Sequence, residues 1–152
     1  MLTEEDNGVS ALTGTYIHNV DEKGRLAVPS KMRVELGEPF FITALSGDCL
    51  SVFPREAWQT FSDKLNQIPQ SDARAQRSVR MIFASAVKCE PDKQGRVLLP
   101  LALRDKVEID KEVVTIGVLS RAEIWAKEKW HGYIDEADIG ADVMEPLGPY
   151  GI

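Results

Sequence analysis

The sequence predicts an α+β fold, mainly β, in which two tandem repeats together complete one hydrophobic core. The main observation is a duplication, because Asp21–Pro29 (DEKGRLAVP) recurs seventy-one residues later as Asp92–Pro100 (DKQGRVLLP). Each copy is followed by an arginine, Arg33 or Arg104, and then by an apolar run. Two copies are too few for a solenoid, which needs at least three stacked units. A unit of about fifty residues also buries too little surface to be stable alone, so we expect the copies to share a core.

The first repeat divides into short strands and helices at its turn residues. Asp21 can bond the amides that follow it and Gly24 can adopt a positive φ, which predicts a tight turn between two strands. Pro29 ends the second strand and begins a short helix, with Gly37 just beyond the end of that helix. β-branched and aromatic residues predict the strands. The predicted elements are strands over 15–20 and 25–28, a helix over 30–36, strands near 40–45 and 49–53, and a helix over 54–67.

A connecting helix and a second set of the same elements follow. Ser71 is a suitable N-cap for a helix over 72–86, whose apolar stripe comprises Val79, Ile82, Phe83 and Ala86. The second repeat then predicts strands over 87–90 and 96–99, a helix from Pro100 to Val107, strands over 112–119 and 122–125, and a helix over 127–137. The tryptophans at 58, 125 and 130 are interpreted as core residues, and the arginines at 74, 77 and 80 as the solvated face of the connecting helix.

The charge distribution divides the chain into a folded middle and two acidic ends. The net charge is −6, yet all eighteen Lys and Arg lie between Lys23 and Lys129. Three of the twenty-four acids lie in residues 1–12 and five in residues 135–152, so sixteen acids remain against eighteen bases, a balance near +2. We expect a disordered extension over 1–12, a first repeat with its helix over 13–67 and a connecting helix over 68–86. A second repeat with its helix is expected over 87–137 and a disordered acidic tail over 138–152.

Composition and motifs argue against several classes of protein. The N-terminus has no signal-peptide pattern and no apolar run is long enough to span a bilayer, so we expect a cytoplasmic protein with no membrane partner. Cys49 and Cys89 have no pairing motif, although a disulfide between them stays open. His18 and His131 have no metal-ligand spacing, and neither a phosphate-binding loop nor a nucleophile elbow is present. The sequence therefore predicts no catalysis, no metal and no cofactor.

The two turns are the candidate functional sites. Their basic side chains are those of Lys23, Arg25, Lys93 and Arg96. Guanidinium groups match phosphate oxygens and guanine edges, and a nearby Asp21 or Asp92 can orient the arginine. The structural alternative is that each aspartate caps its turn and pairs with a solvated arginine, while Gly24 and Gly95 permit the turn. Both interpretations remain open on the residues alone.

These residues resemble a known family. Residues 15–26 (TYIHNVDEKGRL), followed by Pro29 and Arg33, are similar to the opening of MraZ proteins, which have two tandem domains of the SpoVT/AbrB type. Residues 90–100 (EPDKQGRVLLP) resemble the second domain, and residues 72–77 (DARAQR) resemble the segment between the domains. The resemblance covers residues 13–137. It implies a pseudo-dimeric, swapped-hairpin β-barrel flanked by helices, assembled into a homo-oligomeric ring.

The resemblance also implies a function. MraZ proteins are DNA-binding transcriptional regulators that recognise direct repeats upstream of the division and cell-wall genes, their own operon included, so a nucleoid-associated protein is expected. The implied DNA contacts are Arg25 and Arg96, with Lys23 and Lys93 as helpers and Asp21, Gly24, Asp92, Gly95, Arg33 and Arg104 as motif residues. The counterpart of Lys23 is the neutral Gln94, so the first repeat is expected to dominate. The alternative is an antitoxin-like, AbrB-like protein-interaction module without DNA sequence recognition.

Overall fold

The computed structural model describes residues 11–137 and 143–152. These stretches contain eight strands and five α-helices. The first repeat comprises β1 (Thr15–Asn19), β2 (Arg25–Ala27), α1 (Ser30–Leu36), β3 (Phe40–Ala44), β4 (Leu50–Pro54) and α2 (Arg55–Asn66). The connection is α3 (Ala73–Ser85). The second repeat comprises β5 (Val87–Cys89), β6 (Arg96–Leu98), α4 (Leu101–Lys106), β7 (Glu112–Val118), β8 (Arg121–Ala126) and α5 (Lys127–Ala137).

The mixed α and β composition and the tandem repeats agree with the prediction, and most boundaries agree to within one or two residues. α1 occupies the predicted residues, between Pro29 at its N-terminus and Gly37 at its C-terminus. The predicted cap of α3 is wrong. Asp72 is the N-cap, and its side chain accepts a hydrogen bond from the Ala75 amide, whereas Ser71 lies outside the helix. The Gln76 amide donates to the Asp72 carbonyl at 2.9 Å, which is the first hydrogen bond of the helix and places Asp72 at the N-cap.

The strands form a six-stranded antiparallel sheet in the order β1-β7-β8-β4-β3-β5 and a two-stranded ribbon of β2 and β6. The sheet order is symmetric under exchange of the repeats, since β1, β3 and β4 correspond to β5, β7 and β8. The sheet is not closed into a barrel, because within the described residues β1 and β5 each pair with a single strand. The barrel implied by the resemblance is therefore not seen in these strand pairings.

The repeats exchange strands. β1 of the first repeat pairs with β7 of the second, and β5 of the second pairs with β3 of the first. β2 and β6 pair with each other, as do β4 and β8. Leu26 and Phe40 of the first repeat and Val97 and Leu99 of the second are buried in one continuous apolar cluster. The two repeats therefore share one core.

Two aromatic clusters attach the helices to the sheet. The ring of Trp58 in α2 stacks on Phe41 at a centroid distance of 5.1 Å, and Trp58 also contacts Phe83 of α3 at 5.2 Å. In α5, Trp130 lies 5.3 Å from Trp125 of β8. Trp58 and Trp125 are buried and Trp130 is half-buried, in agreement with the interpretation of the tryptophans as core residues.

The ends of the chain differ from the expected pattern where they are described. Leu12, expected in the N-terminal extension, is buried and exchanges two backbone hydrogen bonds with Leu119 beyond β7. Glu145–Tyr150 form an exposed 3-10 helix, where no regular structure was expected. The rest of the predicted N-terminal extension, residues 1–10, and residues 138–142 of the predicted tail lie outside the described residues.

Candidate nucleic-acid interface

The first turn is closed by its own aspartate. Asp21 Oδ1 accepts the amides of Lys23 at 2.9 Å and Arg25 at 2.8 Å, and Oδ2 accepts Arg25 Nε at 2.9 Å. The Gly24 amide donates to the Asp21 carbonyl at 3.0 Å. These contacts fix the backbone of the turn and the orientation of the Arg25 side chain.

The second turn repeats this geometry. Asp92 Oδ1 accepts the amides of Gln94 and Arg96, and Oδ2 accepts Arg96 Nε, each at 2.9 Å. The Gly95 amide donates to the Asp92 carbonyl, also at 2.9 Å. Gln94 therefore takes the position of Lys23, as the sequence alignment predicts. The contacts proposed as the structural alternative, a capping aspartate paired with its arginine, are present in both turns.

The turn contacts lower the pKa of both aspartates. Hydrogen bonding from the Arg25 amide is the largest cause that lowers the pKa of Asp21, and its guanidinium lowers it further. The Arg96 amide and guanidinium lower the pKa of Asp92 in the same way. Each arginine donates through Nε to its aspartate, and its side chain remains partly exposed, 32% for Arg25 and 29% for Arg96. The Nη groups of Arg25 and Arg96 are thus available to an external acceptor.

The ribbon of β2 and β6 brings the two arginines together. Leu26 pairs with Val97 in register, and both side chains are buried. Because successive side chains of a strand point to opposite faces, the neighbours of this pair lie on the outer face. That face carries the side chains of Arg25, Ala27, Arg96 and Leu98. Arg25 lies opposite Leu98 and diagonal to Arg96. The Cα atoms of such diagonal neighbours are about 7–8 Å apart.

The two lysines of the turns are exposed. Lys23 lies beside Gly24, in the position that Gln94 occupies in the second turn, whereas Lys93 is one residue earlier in its turn and corresponds to Glu22. The turns therefore share their arginines but carry their lysines at different places. Arg74, Arg77 and Arg80 are also exposed, as expected for the solvated face of α3.

Arg33 and Arg104 contact the turn of the opposite repeat. The glycines of the turns have φ values of +81° at Gly24 and +77° at Gly95. A Cβ atom added to Gly24 would lie 2.8 Å from Nη2 of Arg104, and one added to Gly95 would lie 2.8 Å from Cζ of Arg33. Sequence reasoning recorded these arginines as repeated motif residues but did not predict contacts between the repeats, since the only signal was their common spacing from the turns.

Other chemistry is sparse in the described part of the chain. Residues 11–137 and 143–152 contain no group of three or more His, Cys, Asp or Glu side chains suited to a metal ion. Cys49 and Cys89 are both free and buried, and desolvation is the main cause that raises the pKa of each thiol to about 12. Across the same described residues, the helices are too short or too polar to cross a bilayer.

The fold and the site define a duplicated, pseudo-symmetric domain in which strand-exchanged repeats present paired arginine turns on one ribbon. The chain belongs to the MraZ family: the model of the family described as "MraZ protein, putative antitoxin-like" matches residues 11–81 and again residues 82–146. The family expected from the resemblance is thereby confirmed, together with its two tandem domains.

Relatives in several bacteria are similar over nearly their whole length. The chain is 46% identical to the "Transcriptional regulator MraZ" of Carboxydothermus hydrogenoformans over 82% of this chain and 87% of the relative. It is 42% identical to the protein of that name from Halothermothrix orenii, over 89% of this chain and 97% of the relative. The protein of the same name from Caldanaerobacter subterraneus subsp. tengcongensis is 41% identical, over 93% of this chain and 99% of the relative. The name given to these relatives is that of a regulator and not of an enzyme.

Proposed function

We propose that this chain is a sequence-specific DNA-binding transcriptional regulator, active in the cytoplasm at the nucleoid. Its targets would be direct repeats upstream of the division and cell-wall gene cluster, its own operon included. The observation that carries this proposal is the outer face of the β2–β6 ribbon, where Arg25 and Arg96 lie diagonal to each other with their Nε atoms fixed by Asp21 and Asp92. The name of the relatives is consistent with it.

The two-stranded antiparallel form of the ribbon supports contact with duplex DNA. The major groove admits a two-stranded antiparallel ribbon, and arginine is the side chain that most often reads guanine O6 and N7. Because Asp21 and Asp92 already orient Arg25 and Arg96, binding costs less side-chain entropy than it would for mobile arginines. Arg25 and Arg96 would contact bases or phosphates, with Lys23 and Lys93 as phosphate contacts beside them. No catalytic step is part of this function.

A homo-oligomeric ring is the second part of the proposal. One protomer with two arginines neutralises few phosphates, and affinity for DNA rises with that number. Several protomers on successive direct repeats would convert weak contacts into avidity. Two apolar side chains of α3 support an oligomer interface, since Met81 is 57% exposed and Phe83 is 40% exposed. The exchange of strands between repeats likewise supports the pseudo-dimeric, swapped-hairpin arrangement expected from the resemblance.

The test is fluorescence-anisotropy binding to the DNA upstream of the gene of this protein, at several salt concentrations, against a random duplex of equal length. We expect wild type to prefer the upstream DNA. If Arg25 reads a base, Arg25→Ala should lose about 1–3 kcal/mol of binding free energy. If Arg25 contacts a phosphate, the variant should reduce the slope of affinity against salt concentration by about one. Lys64→Ala on α2 removes the same charge from an exposed helix position and is the matched control. Light scattering on the same samples gives the size of the oligomer.

A protein-interaction module is the second candidate function. The family description includes the words "antitoxin-like", and the exposed apolar residues of α3 are suited to a protein partner as well as to a second copy of this chain. This candidate predicts no preference for upstream over random DNA at low salt. That result would lead us to abandon the DNA-binding proposal. An Arg25→Ala variant that binds upstream DNA as wild type does would instead remove Arg25 from the proposed interface.

A further inference from the structure

We propose that each arginine turn is positioned by the opposite repeat, with Arg104 as the positioning residue for the first turn and Arg33 for the second. A turn that carries Arg25 would then depend on a side chain seventy-nine residues away in sequence. The inference deepens the proposed function, since it rests on Arg25 and Arg96 as the residues that contact DNA. It also makes a claim about the DNA-free protein that is testable separately.

A short chain of contacts connects Arg104 to the first turn. Arg104 donates Nε–H to the carbonyl of Leu99 at 2.8 Å. The Leu99 amide in turn donates to the carbonyl of Gly24 at 2.8 Å. The guanidinium then lies over Gly24, where Nη2 occupies the space that a Cβ atom would need. Gly24 is thus held by one backbone bond and one side-chain contact, both from the second repeat.

The second turn has the same contacts with the repeats exchanged. Arg33 donates Nε–H to the carbonyl of Val28 at 3.2 Å, and the Val28 amide donates to the carbonyl of Gly95 at 2.9 Å. Cζ and Nε of Arg33 each lie 2.8 Å from the place of a Cβ atom on Gly95. Because the arrangement occurs twice with the roles of the repeats reversed, it is a property of the fold and not an accident of one surface side chain.

The chemistry of the contact requires arginine. The planar guanidinium lies over the glycine while its Nε–H donates to a carbonyl. A lysine ammonium, by contrast, is a compact charge at the end of a flexible stem. Arg33 and Arg104 are both half-buried, so their orientation is also restricted by packing. Arg104→Lys therefore retains the charge but removes the contact that positions Gly24.

Crossed double substitutions test the inference. Arg104→Lys is combined with Arg25→Ala and, separately, with Arg96→Ala, and the affinity for upstream DNA is measured. We expect Arg104→Lys to weaken binding on the order of tenfold in the Arg96→Ala background, where the first turn is intact, and to have little effect in the Arg25→Ala background. Arg33→Lys should give the reverse pattern. Equal losses in both backgrounds would overturn the inference, because a phosphate contact or a general loss of stability acts in both.

Amide hydrogen exchange in the absence of DNA provides the second measurement. Arg104→Lys should accelerate exchange at Gly24 and Arg25 and leave Gly95 and Arg96 as in wild type, since only the first turn loses its support. Lys106→Arg, at an exposed position of the same helix, is the control. Unchanged exchange at Gly24 and Arg25 would refute the positioning role. If the exchange results are as expected but no variant binds DNA specifically, the positioning of the turn stands and the proposed function fails.

Discussion

Single residues determine the shape of the two turns. The carboxylates of Asp21 and Asp92 each accept three hydrogen bonds, which connect the backbone of the turn to the arginine side chain. Gly24 and Gly95 have positive φ and lie in direct contact with an arginine of the other repeat. The roles of these glycines and aspartates were predicted from the sequence, because the residue preferences of turns are local. The sequence did not predict what packs on the glycines, which depends on how the two repeats meet.

Replacing either turn glycine by alanine should destabilise the protein. Gly24→Ala and Gly95→Ala place a side chain in the left-handed region and displace Arg104 or Arg33, for an expected loss of about 1–3 kcal/mol in the free energy of unfolding. Gly132→Ala in α5 is the control, since nothing lies within 4 Å of its added Cβ. It should stabilise the protein by up to about 1 kcal/mol. Denaturant unfolding measures all three, and a turn variant as stable as wild type would contradict the steric argument.

Helices and strands were predicted well from the sequence, for reasons that act within one element. Pro29 lies at the start of α1 and Gly37 at its end. The same strands and turns occur in the second repeat because its sequence repeats that of the first. The cap of α3 was predicted wrongly because Ser71 and Asp72 are both good cap residues. The choice between them follows from contacts outside the helix. Gln76 of α3 donates to the carbonyls of Ile68 and Pro69, which fixes the entry of the chain into the helix at Asp72.

Substitution of the two candidate caps separates their roles. Asp72→Ala should lower the free energy of unfolding by about 1 kcal/mol, because the Ala75 amide loses its acceptor at the start of α3. Ser71→Ala should change it by less than about 0.5 kcal/mol, as is usual for an exposed residue outside such a contact. Thermal or denaturant unfolding of both variants gives the comparison. A larger loss for Ser71→Ala than for Asp72→Ala would mean that the helix is capped by serine in solution.

At the scale of the whole molecule, strand exchange between the repeats is the feature that local sequence patterns could not specify, although the family resemblance implied a swapped arrangement. The duplication predicts that the repeats pack together, but β1 could in principle pair within its own repeat or across to the other. β1 pairs with β7. This choice depends on how much apolar surface both repeats bury together, which a short stretch of sequence does not reveal. The same holds for Arg33 and Arg104, whose contacts with Gly95 and Gly24 exist only after the repeats have met. The candidate arginines were therefore predictable, and their arrangement on one ribbon was not.

His18 reports on this junction between the repeats. It lies in β1, its Nε2 is 2.8 Å from Oγ1 of Thr115 in β7, and its backbone partner is Ala27 of the ribbon. Desolvation is the larger effect and lowers the pKa of His18 below 6.5, while the hydrogen bond with Ala27 opposes the shift. The folded protein therefore binds this proton less readily than the unfolded chain does. Stability due to neutral His18 is complete above about pH 6.5 and is lost as the pH falls through the lower, folded pKa.

His18→Gln should flatten the pH dependence of stability between about pH 7 and 5, relative to wild type, because glutamine keeps a polar group near Thr115 but takes up no proton in this range. Since His18 is only half-buried, the wild-type slope should remain below the one-proton limit of about 1.4 kcal/mol per pH unit. Denaturant unfolding at a series of pH values measures it. His131→Gln, at an exposed position of α5, is the control. If wild type and His18→Gln have parallel stability profiles over this range, desolvation of His18 contributes nothing, and the contact between β1 and β7 must be more hydrated than the structure indicates.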